Sequence, residues 1–325
     1  MELRLATFNL ENLGIREGEE TPEARARLTP HVQVLRDVLV RLDADAVAVQ
    51  ELVDPGLVEP LIQGLGYPHV ALSSPRSSPL MVGVFSRFPL REVHGVATSV
   101  DLALTDEKTG MAVQVRGPFS RPALQLIWEA PGLETHLIVV HWKSKIPSPT
   151  PQRSSTPGNR WPSLGAAAAG RFLTEVKRLA QAVEIRKTID GLFERDPRAR
   201  VAVLGDFNDT LSSEGLRIVL GDAAGCDSPG LAKFELVACE LAIPQDLRFT
   251  QIYRGEREMI DHILISRGLL PHFAGARALN ETLQDADLAA GSGVSVGSDH
   301  APLVATFRAG SALESGQQLE YSSGK

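Results

Sequence analysis

The stretch RVAVLGDFND, Arg200–Asp209, decides how this chain is read. Its first half is a short run of Val, Ala and Leu that suits a strand buried on both faces. It then stops on Gly205, Asp206, Asn208 and Asp209. If the strand continues, the i, i+2 spacing of Asp206 and Asn208 places both side chains on one face. The plainer reading is a turn, because Gly, Asp and Asn are turn formers. Working outward, other apolar runs end the same way. AVAVQEL (Ala46–Leu52) carries Glu51, and THLIVVHW (Thr135–Trp142) ends on His141. Near the N-terminus Leu3, Leu5 and Thr7 alternate with Arg4, Ala6 and Phe8, the period of a strand ending near Asn9. Asp299 and His300 open the run PLVATF (Pro302–Phe307). In MIDHILIS (Met259–Ser266) Asp261 and His262 are neighbours facing opposite ways, so only one can join a shared site. His136 and His141 are an odd number of positions apart and also diverge. Polar groups at the ends of apolar strands are where a sheet can present a site without burying unpaired charge.

MVGVFSRF (Met81–Phe88) and LQLIWEA (Leu124–Ala130) read as further strands. Helical spacing predicts a helix over about Thr29–Leu42, with Thr29-Pro30 as N-cap and first residue, and another over Leu164–Phe193. Some strands follow one another closely and others are separated by helices, which points to mixed sheets. The 325 residues suggest about two domains at roughly 150 residues each. With 43% hydrophobic and 22% charged residues, the chain is not a disordered one. Two cysteines, Cys226 and Cys239, exclude a disulfide scaffold and match no zinc spacing. No run of about 18 apolar residues offers a transmembrane helix. Lys+Arg number 33 against 40 Asp+Glu, a net charge of −7, which argues against coating nucleic acid by bulk charge but not against touching a phosphodiester locally. MELRLATFNL has no signal-peptide core, so the expectation is a cytoplasmic protein, or a secreted one whose leader has been removed. No obligate protein partner is evident. Residues 309–325 are small and polar and are expected to be disordered.

Residues 146–163, IPSPTPQRSSTPGNRWPS, are rich in Pro and Ser. With Lys143, Lys145, Arg153 and Arg160 the region holds four bases and no acid, and Trp142 and Trp161 bracket it. It reads equally as a surface excursion or as a basic lid with an aromatic platform for a polyanion.

Singly, each polar residue has an ordinary structural explanation; as a set they resemble the endonuclease/exonuclease/phosphatase superfamily. The matching pieces, in the family's order, are TFNLEN (Thr7–Asn12), VQEL (Val49–Leu52), VVHWKSK (Val139–Lys145), GDFND (Gly205–Asp209), IDHILIS (Ile260–Ser266) and GSDHAPL (Gly297–Leu303). VGVFSRFPL (Val82–Leu90) is similar to a seventh. The HWKSK element, Arg178, Gln181-Ala182 and RPAL (Arg121–Leu124) resemble the bacterial extracellular-nuclease-like branch. The resemblance implies an α/β, deoxyribonuclease I-like fold, a four-layered sandwich of two mixed β-sheets flanked by helices. One site would draw on Asn9 and His300 alike, so residues 1–308 would form one domain rather than two. It implies Mg²⁺ as cofactor, with Mn²⁺ or Ca²⁺ as substitutes, held by Glu51 with Asn9 and Asp299. Asp206 and Asn208 would hold the attacking water and a phosphate oxygen. His300, oriented by Asp261, would act as general base or hold the phosphate. His141 would stabilise the developing charge or protonate the leaving group. Arg121, Lys143, Lys145, Arg153 and Arg160 would bind the substrate. The expected activity is hydrolysis of a DNA or RNA phosphodiester. The alternatives are a phosphoesterase for a lipid or inositol phosphate head group and a non-catalytic binding module of the same fold.

Overall fold

The computed structural model describes the chain except residues 16–17, 19, 75–77, 93–98, 152–160, 288–296 and 310–325. Arg153, Arg160 and nearly all of the polar tail therefore lie outside the described residues. The strands of the first half are β1 (Glu2–Leu13), β2 (Ala46–Leu52), β3 (His69–Leu72), β4 (Met81–Ser86), β5 (Leu90–Glu92), β6 (Ser99–Thr105), β7 (Ala112–Pro118), β8 (Leu124–Trp128) and β9 (Thr135–His141). Those of the second half are β10 (Val201–Asp206), β11 (Leu236–Ala238), β12 (Gln251–Tyr253), β13 (Glu256–Glu258), β14 (Asp261–Ser266), β15 (Phe273–Ala278) and β16 (Leu303–Arg308). The α-helices used below are α1 (Pro22–Leu42), α2 (Val58–Ile62), α3 (Leu164–Arg195) and α4 (Glu214–Leu220).

Two six-stranded sheets form the centre, in the orders β15-β16-β1-β2-β4-β3 and β11-β14-β10-β9-β8-β5. β1 runs parallel to β2 and β9 parallel to β10, while the other neighbouring pairs are antiparallel, so both sheets are mixed as expected. Alternation sorts the side chains. Leu3 and Leu5 of β1 and Val82 and Val84 of β4 face inward, against Leu137, Val139, Ala202, Leu204 and Ile263 of the other sheet. The opposite faces turn outward: Ala6, Phe8, Val47 and Val49 meet Leu35, Leu39 and Leu42 of α1. Ile138, Val140, Val201 and Val203 meet Ile185, Ile189 and Leu192 of α3. Strands covered on both faces read as continuous apolar runs. The result is the helix–sheet–sheet–helix order of a deoxyribonuclease I-like fold.

Two boundaries differ from the sequence expectation. α1 begins two turns before Thr29-Pro30: Thr21 is the N-cap, its hydroxyl accepting from the Ala24 N–H, and Pro22 opens the helix. Pro30 lies inside it, where both Pro30 and Ala26 are exposed and water can take the freed carbonyl. β1 also runs past Asn9 to Leu13 through an irregularity with Glu11 at φ 47° and Asn12 at φ 53°. In that kink the Asn12 N–H meets the Glu51 carboxylate and the Glu11 carboxylate accepts the Asp299 N–H.

Gly205 is required where it stands. It pairs with Val140 at φ 144°, and an added Cβ would lie 2.0 Å from the Val140 carbonyl oxygen. Bare backbone lets β10 approach β9 closely, which brings Asp206 level with His141 on one side and Asp261 on the other.

Candidate active site

The polar strand ends converge where the two sheets meet. Asn9 of β1 donates from Nδ2 to Asp206 Oδ2 at 3.0 Å, across the sandwich. Glu51, at φ 61° on the irregular end of β2, accepts the Asn12 N–H and lies 3.4 Å from His141 Nε2. His141 Nε2 is 3.5 Å from Asp206 Oδ2 and 2.5 Å from Arg121 Nη1, which also donates to the Trp142 carbonyl. Asn208 does reach Asp206, but not by continuing the strand. β10 ends at Asp206, Asn208 is left-handed at φ 51°, and its N–H and Nδ2 both turn back onto the Asp206 carboxylate at 2.7 and 2.9 Å. The turn reading of GDFND is the correct one, and the turn itself builds the site.

Asp261 and His262 face opposite ways, as their spacing requires. Asp261 Oδ2 pairs with His300 Nδ1 at 2.7 Å. His300 Nε2 lies 3.4 Å from Gln251 Nε2 and 3.8 Å from Asp299 Oδ1. Asp299 takes its position from two neighbours: its N–H donates to Glu11 Oε2 and its Oδ2 accepts from Gln251. Ser298 ties this loop to β1 by donating to the Asn9 carbonyl at 2.7 Å.

Burial sets the protonation states. It raises the Asp206 carboxyl to about 7, helped by the nearby Asp261 and Glu51 charges and opposed by His300. Burial likewise raises Glu11 to about 7, reinforced by Asp299 and Glu51. His141 is pushed well below its ordinary value by burial, with Arg121 and His300 adding repulsion. It therefore stands neutral, which does not suit a group entering the reaction as an acid. For His300 burial works against the charge, yet Asp261, Asp206 and Asp299 override it and hold the imidazolium.

Glu51, His141 and Asp206 bring one ligand atom each within 4.8 Å of one another, as do Asp206, Asp261 and His300. Asp261 Oδ1 and His141 Nδ1 are buried without a hydrogen-bond partner. A donor set of buried carboxylate and amide oxygens, with protons held up to about pH 7, fits a hard divalent cation.

The basic region differs from its expectation. Trp142 is fully buried and packs edge-on against Phe207 at 4.9 Å, so it is a core residue and not a stacking platform. Trp161 lies against Gly170 of α3. Lys143 Nζ donates to Ser144 O, Ser144 Oγ and Ile146 O, and burial among Arg121, Lys177 and Arg178 lowers it to about 8. Lys145 pairs with Asp209 at 2.9 Å. Arg178, buried, binds Asp209 and the Lys143 carbonyl, and Gln181 binds the Arg121 carbonyl. These cations buttress the GDFND turn and the strand carrying His141.

Glu11 and Gln251 were not singled out in the sequence. Glu11 had a signal, since it stands two residues after Asn9 within TFNLEN; Gln251 had none. Glu240 and His262 form a further unanticipated pair. His262 Nδ1 meets Glu240 Oε1 at 2.5 Å and its Nε2 meets the Asp209 carbonyl at 2.8 Å, so the buried pair braces the GDFND turn from behind. Burial opposes charge on His262, but Glu240 prevails and raises it above its usual value. The stability this pair contributes is complete below the imidazole's ordinary value near 6.5 and is lost as pH rises through the raised one. Glu240→Gln is therefore expected to cost about 3 kcal/mol in urea unfolding at pH 6. The deficit should shrink at high pH; a deficit that grows with pH would contradict the assignment.

Two mixed sheets whose ends present a carboxylate–imidazole cluster define a deoxyribonuclease I-like hydrolase class. The sequence profile of the endonuclease/exonuclease/phosphatase family matches residues 6–300, and the chain belongs to that family, whose members hydrolyse phosphoester bonds. Among solved structures, truncated TDP2 of Caenorhabditis elegans is similar at 16% identity and a TM-score of 0.56, over 94% of this chain and 98% of that one. The human Nocturnin catalytic domain with a bound sulfate anion is similar at 18% and 0.51, over 94% of each chain. The 3′-5′ exonuclease NExo of Neisseria meningitidis is similar at 16% and 0.53, over 94% and 100%. A Neisseria NExo structure has also been determined with a product DNA hairpin. At these identities the likeness establishes the fold. No curated protein matches the sequence. Among the described residues no helix is long and apolar enough to cross a membrane.

Proposed function

We propose that the chain is a Mg²⁺-dependent phosphodiesterase acting on nucleic acid. The observation that carries this reading is the convergence of Asn9, Glu51, Asp206 and Asp299 with the Asp261–His300 pair at one sheet junction. Glu51, with Asn9 and Asp299, would hold the cation, and Glu11 joins this set. When bound, the cation supplies positive charge to a phosphate oxygen and to the leaving oxygen.

The remaining roles belong to the protein. Asp206, fixed by Asn9 and Asn208, accepts a proton from the attacking water, and a carboxyl raised to about 7 suits that task near neutrality. His300, charged and oriented by Asp261, donates from Nε2 to a phosphate oxygen. His141 is neutral and accepts from Arg121, so it orients the guanidinium that faces the phosphate. Arg121, beside His141, would meet the substrate backbone, whereas Lys145 is engaged by Asp209; NExo, similar in fold, has been captured with DNA.

The test offers the protein and Mg²⁺ a labelled DNA or RNA oligonucleotide beside sphingomyelin and an inositol polyphosphate. Cleavage of the oligonucleotide supports the proposal. Release of head group or phosphate with the oligonucleotide intact favours the small-phosphate reading. Metal binding with no hydrolysis of any of them favours a binding module.

A further inference from the structure

A cavity of about 560 Å³ opens beside Glu11, at the metal-binding edge of the hydrolytic site. One wall is the backbone that leaves the site at the end of β1, Gly14 and Ile15. The facing wall is the first half of α1. There Ala24, Arg27, Leu28 and His31 stand at i, i+3, i+4 and i+7 and so share one face of the helix. Gly297, two residues before Asp299, also lines the cavity. Glu11 accepts the Asp299 N–H at 3.0 Å, so the cavity and the hydrolytic site have a common border. The Gly14 wall is fixed in place. Val53 and Asp54 both donate their N–H to the Leu13 carbonyl, and a Cβ on Gly14 would lie 2.7 Å from the Asp54 nitrogen.

The lining has unspent groups of three kinds. Arg27 is exposed and has no ion pair among the described residues, whereas Lys143, Lys145 and Arg178 are taken up by protein acceptors. His31 donates to the Leu10 carbonyl and is kept neutral by burial. Its Nε2 has no hydrogen-bond partner, so the bond to Leu10 runs from Nδ1 and Nε2 is left as an acceptor. Glu23 is a second acceptor on the same wall, and Ile15, Ala24 and Leu28 are apolar. These groups correspond to the parts of a nucleotide: a charged phosphate for Arg27, a flat base for the apolar walls, and amino or hydroxyl donors for His31 and Glu23. An inositol polyphosphate fits poorly, since it would bring several phosphates to one guanidinium and two carboxylates, Glu11 and Glu23. The volume lies within the range of about 300–1,000 Å³ usual for small-molecule sites.

We propose that this cavity receives the nucleotide next to the scissile phosphate, its base between Ile15 and Leu28 and its outer phosphate on Arg27, an inference that rests on the nucleic-acid reading above. Arg27 is then a determinant of substrate choice, outside the groups that carry out hydrolysis.

The test compares two diesters in Mg²⁺. One is a single-stranded oligonucleotide; the other is bis(para-nitrophenyl) phosphate, which has no neighbouring nucleotide. Arg27→Gln should lower kcat/KM for the oligonucleotide about tenfold, as loss of one charge-assisted contact does, and leave hydrolysis of the small diester unchanged. The log–log salt dependence of oligonucleotide kcat/KM should become shallower by about 0.7, the share of one phosphate contact on a single strand. Ala26→Trp, which fills the cavity from its exposed lining, should show the same selectivity between the two substrates. Equal losses on both diesters would mark a structural role and overturn the proposal. So would an oligonucleotide rate indifferent to Arg27→Gln or an unchanged salt slope. Wild-type protein that cleaves the oligonucleotide but ignores both substitutions sinks this proposal alone. Wild-type protein that hydrolyses neither diester sinks the phosphodiesterase reading together with it.

Discussion

His300→Gln is expected to lower phosphodiester turnover by about 10²–10³-fold while the protein stays folded. His300 is the one site imidazole held in its charged form, against Asp261 at 2.7 Å, and its Nε2 is the donor left for substrate. Glutamine keeps a hydrogen-bond donor for Asp261 but cannot carry the charge. Alanine is the less informative change, because an unpaired buried Asp261 carboxylate would itself cost about 3–5 kcal/mol and blur catalysis with unfolding. Turnover and thermal midpoint measured on the same preparation separate the two effects. A glutamine variant retaining half of wild-type turnover would sink the assignment.

The second large effect is a linkage between metal and protons. Glu11 and Asp206 hold their protons to about 7, above the ordinary carboxyl range, because burial and neighbouring carboxylates penalise the charge. For these groups the folded value is the raised one. Metal-free stability therefore falls as pH climbs from about 4 to about 7, because the unfolded chain gives up these protons while the folded one still holds them. A divalent cation supplies the counter-charge and must displace the protons below pH 7. Its affinity should rise with pH by about tenfold per unit for each proton released, and level off above 7. The Mg²⁺-induced gain in thermal midpoint should accordingly be larger at pH 8 than at pH 6. Glu51→Gln, which removes a carboxylate from the same cluster, should nearly erase the gain at both. A midpoint gain that is flat with pH, or unchanged by Glu51→Gln, would show that the cation binds elsewhere.

Much of this architecture was legible because it is local. Val, Ala and Leu runs marked strands covered on both faces, and the two sheets and α3 lie where those patterns put them. The parity rule separated Asp261 from His262 and His136 from His141, because strand faces alternate whatever the fold. Other features depended on contacts between distant segments. The start of α1 is not among them, since Thr21-Pro22-Glu23 carries the same local cap signal as Thr29-Pro30. The Asn208 turn works because Gly205 lets β10 approach β9, a fact of pairing and not of composition. Glu240 and Gln251 act through partners 22 and 48 positions away, distances over which periodicity carries no signal. The basic character of the segment following His141 misled most. Charge counting treats every lysine as available, whereas Lys143 spends its donors on local acceptors and Lys145 spends its charge on Asp209. Trp142, taken for a platform, is core.

The most direct test of the central claim is cleavage of an end-labelled oligonucleotide by protein stripped of metal with a chelator, before and after Mg²⁺ is restored. The account predicts no cleavage in the stripped protein and recovery on addition of Mg²⁺, with Glu51→Gln failing to recover. Cleavage that proceeds undiminished after stripping, or that recovers equally in Glu51→Gln, would contradict it.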